Sequence, residues 1–244
     1  MKKERNLLKL LTDEECLDAS KKAFLTADLH KKSAETLSKD GDYGIPVSHL
    51  VLSTEQSVIG ILLYLQHLGM NVRNVAGVHM FFTDHIIKHQ LATMISFMYP
   101  ILKLFMGFVQ KTKEKLHNPD AHIEYSEEEE AFMSKDEKKI QHIFKDLPEM
   151  MDWWDDANIQ KNKGFYVDYS KSIETPMEVS ELEYKRAFVI VDNFQKQISD
   201  TVSYFEKATE DDKKDIKKNS KKYGIDKILL PVIEARKKEI RDKR

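Results

Sequence analysis

The 244-residue sequence predicts an all-α protein built as a helical bundle, and three observations carry that expectation. Breakers are scarce: 8 glycines and 6 prolines interrupt a chain rich in leucine, lysine, glutamate, isoleucine, methionine and alanine, a composition that favours helices over sheets. Apolar residues recur at spacings of three and four over long stretches, the repeat of one helix face. Capping signals stand where those stretches begin. The clearest is "TDEE" at residues 12–15, where Thr12 can accept from the amide three residues on while Glu15 reaches back to the cap.

The first helix starts at Thr12 and runs through Ala23, Ala27, Ala34 and Leu37 until "KDGDYGIP" ends it. The second, roughly 46–69, is apolar at Val47, Leu50, Val51, Val58, Ile61, Leu62 and Leu65, and Gly69 stops it. "MNVRNVAGVHM" connects it to a third helix from about Thr83 to Leu116, which Pro100 should kink or divide. A polar acidic connection at about 117–130 leads to a helix capped by Ser126 and carrying Phe132, Ile140, Ile143, Phe144 and Leu147. After Pro148 the run to Pro176 is rich in aromatics and turn residues, with a short β-hairpin-like insertion around "GFYVDYS" as the one strand-like element. Trp153 and Trp154 are adjacent, so they cannot both face one core. A strongly periodic helix follows through Ala187, Val191, Phe194, Ile198, Val202 and Phe205. Thr209 caps a basic segment, and a last helix starts at about Ile225. The expected organisation is one helical domain over 1–208 and a basic C-terminal helical extension over 209–244.

Charge is unevenly spread behind the formal net of −2. Residues 120–183 hold 18 acidic and 7 basic side chains, a net of −11, whereas residues 209–244 hold 13 basic and 8 acidic, a net of +5. The tail suits a phosphate backbone or the acidic middle of its own chain, against the plainer reading of solvated helix faces. A single cysteine, Cys16, excludes an internal disulfide and fits a reducing cytoplasm, the expected location. The N-terminus is basic and briefly apolar but has neither a full hydrophobic region nor a small-residue cleavage site, so it does not read as a secretory signal. "LATMISFMYPILKLFMGFV" at 91–109 is long enough to cross a bilayer, yet Lys103 sits near its middle and Pro100 interrupts it. A helix buried on nearly all sides of a bundle explains it more simply, and no membrane span is expected.

Glu55 is the informative residue of the second helix. It follows Val51 by four residues and precedes Val58 by three, so its carboxylate lies on the apolar stripe, where it must be paired, protonated or metal-bound. The next helix offers partners: His85 and His89 share a face at i and i+4, with Lys88 beside them. Three readings compete. A metal site would use the two histidines with Glu55 or Asp84, but "HIIKH" lacks the glutamate of the zinc-protease motif, Lys88 would repel a cation, and "EKLH" at 114–117 is the single Glu-x-x-His where a di-iron bundle needs two. A structural hydrogen-bond network is the second reading. RNA chemistry is the third.

"RNVAGVH" at 73–79 resembles the Arg-polar-x4-x6-His pattern of HEPN ribonucleases, in which arginine holds phosphate and histidine moves a proton of the 2′-hydroxyl or the leaving oxygen. Taken together, "SHLVLSTEQSVIGILLYL", "FFTDHIIKHQLA" and "KNKGFYVDYSKSIETP" resemble the AbiV family of abortive-infection proteins, a branch of the HEPN superfamily. Ser53 and Glu55 match that family's first motif, with Gln56 and Ile59 replacing its second acid and its lysine. His85, Lys88 and His89 match the second, with Ile86 at a usual lysine. Gly164, Tyr166, Val167 and Asp168 match the third, with Phe165 as the variant. The resemblance covers roughly residues 12–205.

What the resemblance implies is a HEPN-like helical bundle, dimeric, serving bacterial anti-phage defence by acting on RNA or translation. The enzyme reading is a metal-independent endoribonuclease that needs no cofactor: His85 or His89 as general base or acid, Lys88 stabilising the phosphorane charge, Glu55 orienting the histidine, and Arg73 with His79 as a second polar pair at the dimer seam. Lys161, Lys163 and Tyr166 suit phosphate contact and base stacking. The basic residues missing at Ile59 and Ile86 weaken phosphate binding. The alternative is therefore a non-catalytic helical homodimer that binds a phage or host protein, dimerising through the 187–205 stripe.

Overall fold

The computed structural model describes residues 7–145, 147–166 and 175–242; its regular elements are all helical, with no strand among the described residues. Helix α1 (Asp13–Leu37) opens with the predicted capping box: the Glu15 N–H donates to Thr12 Oγ1 at 3.1 Å and the Thr12 N–H donates to Glu15 Oε2 at 2.7 Å. Helix α2 (Gly44–His67) returns along it. Ser20 Oγ–H donates to the Gly60 carbonyl and Ser53 Oγ–H to the Ala27 carbonyl, both at 2.8 Å, so positions rising on one helix meet positions falling on the other and the pair is antiparallel. The predicted stripe Val47, Leu50, Val51, Val58, Ile61 and Leu62 is buried, and Leu63 and Tyr64 are buried as well.

Three short elements precede the next long helix: a 3-10 turn at Val72–Asn74, helix α3 (Met80–Thr83) and the extended residue Asp84. Helix α4 (His85–His117) then runs undivided through Pro100. Helices α5 (Glu127–Ser134) and α6 (Glu137–Ile143) follow where one helix was expected. The Ser126 cap is as predicted, but Lys135 takes the left-handed conformation at φ 55, and the Asp136 side chain accepts from the amides of Lys138 and Lys139 to start a new helix. A residue in that conformation stops a helix as a C-terminal glycine would.

Helix α7 (Leu147–Phe165) extends into the segment where the hairpin was expected. Residues 161–165 are helical, which corrects the approach and the start of that hairpin, while Val167, Asp168, Tyr169 and Ser170 lie outside the described residues. Pro148 is no obstacle in a first helical turn. The buried stripe of α7 is Met150, Trp154, Ala157, Lys161 and Gly164, in which a lysine and a glycine hide the helical repeat of three apolar residues. Of the tryptophan pair, Trp154 is buried and packs edge-on to Phe194 with ring centroids 5.4 Å apart, while Trp153 is half-buried.

Helix α8 (Glu181–Glu206) starts at a Ser180–Glu183 capping box. Its Ala187, Val191, Phe194 and Ile198 are buried within this chain, while Val202 and Phe205 of the same stripe are half-buried. These residues face α2, on which α8 packs. Helix α9 (Glu210–Tyr223) is capped by Thr209, and α10 (Ile225–Asp242) buries Leu229 and Ile233.

The chain divides into two compact units, Met1–Ala92 with Trp154–Arg244, and Thr93–Trp153. In the second, Phe97 meets Phe144 and Phe108 meets Tyr125, with ring centroids 6.4 and 6.3 Å apart, and Lys111 pairs with Glu129. Helices α2 and α4 are both long and apolar enough to cross a membrane by length and composition. The apolar window of α2 is 72% buried, but that of α4 is 22% buried, which corrects the expected near-complete burial of 91–109. Phe97, Met98, Ile101 and Phe105 are exposed there.

Candidate functional site

The first unit gathers one carboxylate and four nitrogen-bearing side chains from three helices. Glu55, on α2, has 2% of its side chain exposed. Its Oε2 accepts from His85 Nδ1 at 2.6 Å and from Lys88 Nζ at 3.2 Å, both on α4. Its Oε1 accepts from Lys161 Nζ of α7 at 3.1 Å, and His89 Nε2 stands 3.4 Å away. All four residues named from the sequence as catalytic, Glu55, His85, Lys88 and His89, are thus brought together. Lys161, named for RNA contact, joins them as a buried partner of Glu55.

Local sequence explains the convergence. Ser53 fixes the height of α2: its hydroxyl donates to the Ala27 carbonyl and accepts from Gln195 Nε2 of α8 at 2.8 Å, tying three helices two residues from Glu55. Gly164 sets the crossing of α7 over α2. A Cβ there would lie 2.1 Å from the Gly44 carbonyl oxygen and 2.1 Å from Ser48 Oγ, so no larger residue fits. Ser48 Oγ–H donates to the Lys161 carbonyl at 2.7 Å in the same crossing, which points the Lys161 side chain along α2 towards Glu55. Ile59 carries no positive charge, but Lys161 delivers an ammonium group to the carboxylate from another helix.

Burial alone pushes the Glu55 carboxyl up. The hydrogen bond from His89 and the charges of Lys88, Lys161 and His85 overrule it and hold the group well below the usual carboxylate range. Burial pushes His89 down and so favours the neutral ring, opposed by its contact with Glu55. Among the described residues two lysines face this one carboxylate, so these groups carry an excess of positive charge before either histidine is counted. An excess of that sign in a low-dielectric setting favours an anion.

Access separates the members. Side-chain exposure is 5% for Lys88, 4% for His89 and 9% for Lys161, but 48% for His85. His85 is therefore the member that meets solvent. With Glu55 ionised, Nδ1 of His85 carries the proton it donates, which fixes the tautomer and leaves Nε2 as the basic nitrogen in the neutral ring.

Sequence reasoning missed a second histidine pair beside this group. His30 of α1 and His49 of α2 place their Nδ1 atoms 3.0 Å apart, and both rings are pushed down by burial, with the Glu55 charge pulling His30 the other way. His49 continues edge-on to Phe165 at 5.9 Å, and Phe165 to Tyr166 at 6.4 Å, so a run of rings ends at Tyr166, which is 67% exposed. Lys163 lies on α7 within the field of Glu183.

Arg73 and His79 are not brought into the group. The Arg73 guanidinium donates to the Leu11 carbonyl at 2.7 Å and to Asp13 at 2.6 Å, while its backbone N–H donates to Gln66 Oε1 at 2.9 Å. It ties the connection after α2 to the start of α1. His79 is exposed and precedes α3. Among the described residues no cluster of three histidine, cysteine, aspartate or glutamate side chains is disposed to hold a metal ion.

A family model described as AbiV, within the HEPN group, matches residues 15–196. No curated protein and no solved structure matches the chain. The matched span includes Glu55, His85, Lys88, His89 and Lys161 and stops before α9 and α10.

Proposed function

Because the chain belongs to the AbiV family of HEPN proteins, we propose that it is an abortive-infection effector acting on RNA, with the Glu55 group as the seat of the chemistry. The observation that carries this reading is a buried excess of positive charge among the described residues, opened to solvent by one oriented histidine. Such a group attracts a phosphodiester and holds a base beside it.

In this reading His85 Nε2 takes the proton of a 2′-hydroxyl. The 2′-oxygen attacks the adjacent phosphorus, the P–O5′ bond breaks, and the 5′-oxygen leaves with a proton from solvent. The products are a 2′,3′-cyclic phosphate and a 5′-hydroxyl. Glu55 stabilises the imidazolium that forms, as the carboxylate of a nucleophile–histidine–carboxylate triad does. Lys88 and Lys161 hold Glu55 and supply positive potential near the phosphorane charge without touching it. Tyr166 offers a ring on which an unstacked base can lie, a mode suited to single-stranded RNA. His89 supports Glu55 and is too buried to meet substrate. The protein works in the cytoplasm on this account.

A second reading is favoured by one observation: Phe97, Met98, Ile101 and Phe105 form an exposed apolar stripe on α4. Stripes of this kind mark protein-binding surfaces. Residues 93–153 would then bind a second copy or a phage or host protein, with or without catalysis in the other unit.

Incubation of the purified protein with total bacterial RNA in EDTA tests the first reading. Cleavage leaving 2′,3′-cyclic phosphate ends, absent in a folded His85→Ala variant, is the expected result. Undiminished cleavage by that variant would remove His85 from the chemistry.

A further inference from the structure

We propose that Arg236, on the C-terminal helix, is a positioning residue for His85, acting through Asp84 to hold the first turn of α4. Asp84 is the residue immediately before His85. Its Oδ1 accepts from the N–H groups of Ile86 at 3.0 Å and Ile87 at 3.3 Å, and its Oδ2 accepts from Arg236 Nε–H at 3.0 Å. One carboxylate therefore caps the helix that carries the histidine and is itself clamped by α10. Arg236 is fixed from the other side by Glu239, which accepts from Nη1 at 2.8 Å. Side-chain exposure is 13% for Arg236 and 18% for Asp84, so the pair is shielded rather than splayed in solvent.

Position matters more for His85 than for its neighbours. Lys88 and His89 are locked by packing, but His85 is half exposed and leans on its hydrogen bond to Glu55. Where its imidazole lies is set by its backbone, and its backbone is the first residue of a helix, whose leading amides need a partner. Asp84 is that partner, and Arg236 decides which way the Asp84 carboxylate faces.

Helix α10 is seated independently of this contact. Ile233 and Leu229 are buried, and Ile233 presses on Gly77, where a Cβ would come within 2.9 Å of its Cγ2 and where φ is +84. Glycine at 77 is what allows the helix to approach. Helix α10 lies beyond the family match at 15–196. The clamp rests on the proposed ribonuclease chemistry only for its effect on RNA cleavage, because the hydrogen bond between His85 and Glu55 can be observed without RNA.

The test is imidazole NMR on the ¹⁵N-labelled full chain, comparing wild type with Arg236→Gln, Arg236→Lys and Lys237→Gln. The signal is the downfield Nδ1–H proton of His85 bonded to Glu55, assigned by its disappearance in His85→Gln. Arg236→Gln should lose or broaden that signal while Lys237→Gln, an equal charge change on the same helix, keeps it. Arg236→Lys should restore part of it, since an ammonium can still reach one carboxylate oxygen. On RNA that the wild type cleaves, Arg236→Gln should lower kcat by up to about a hundredfold at unchanged KM, the scale of a catalytic group misplaced by about 1 Å. A sharp, unshifted His85 signal in Arg236→Gln would overturn the proposal whether or not RNA is cleaved. Were Arg236→Gln to unfold, Arg236→Lys would decide the matter: a shifted or weakened signal supports the clamp, and a sharp, unshifted one overturns it.

Discussion

Two polar knots in the first unit use the same kinds of groups to different ends. At Arg73 one guanidinium meets one carboxylate and a backbone carbonyl, and charge is balanced. At Glu55 one carboxylate meets two ammonium groups and two imidazoles, and among the described residues positive charge is left over. The first knot ties a turn to a helix start and needs nothing more. The second is stable only because the carboxylate is surrounded, and it presents the histidine that is half exposed. Charge balance and access, rather than the mere meeting of arginine or lysine with histidine, separate a structural tie from a site able to hold an anion.

Glu55 is where the difference between the knots can be erased most severely. Glu55→Ala leaves two buried ammonium groups without their counter-charge and should destabilise the fold by about 3–5 kcal/mol, measured by urea unfolding. Gly164→Ala forces a Cβ against the Gly44 carbonyl and Ser48 Oγ, a clash between helices that should cost about 1–3 kcal/mol, read as a lowered melting temperature. Arg73→Ala removes a part-exposed pair and a carbonyl bond, which should cost roughly 1 kcal/mol after solvent screening and leave any action on RNA intact. His85→Ala should move stability least, by about 0.5 kcal/mol, because the ring is half exposed.

Acid acts on the two knots unequally. Glu55 has its folded pKa held below the unfolded value, so the stability it contributes is present above the unfolded carboxylate pKa and is lost as pH falls through the folded value. Neutral, buried His89 acts in the same direction, since its ring is charged more readily in the unfolded chain. Unfolding free energy of the wild type should therefore fall steeply in acid. Its advantage over Glu55→Gln should shrink as pH drops below about 4. An advantage that grows on acidification would mean that the carboxylate is not held by its partners.

Much of this was legible in the sequence because burial of a charge demands a partner. Glu55 on an apolar stripe announced a network, and the i, i+4 histidines with Lys88 announced its other half. The family resemblance drew the same residues from a different direction. Lys161 was seen as a surface contact because a lysine on an apolar stripe is invisible to a periodicity reading that counts it as polar. The same blindness left the end of α7 looking like the approach to a hairpin. His30 and His49 went unnoticed because they stand on different helices, and only the antiparallel pairing of α1 with α2 brings their rings together. The split of α5 from α6 depends on one left-handed lysine, Lys135, a conformation that its side chain does not advertise.

The most direct test sets the two knots side by side: cleavage of total bacterial RNA in EDTA by His85→Ala and by Arg73→Ala, each at matched folded fraction. Wild-type cleavage by the Arg73 variant and none by the His85 variant is the result expected if the Glu55 group is the site. Loss of cleavage in the Arg73 variant with retention in the His85 variant would contradict that assignment and move the chemistry to the other knot.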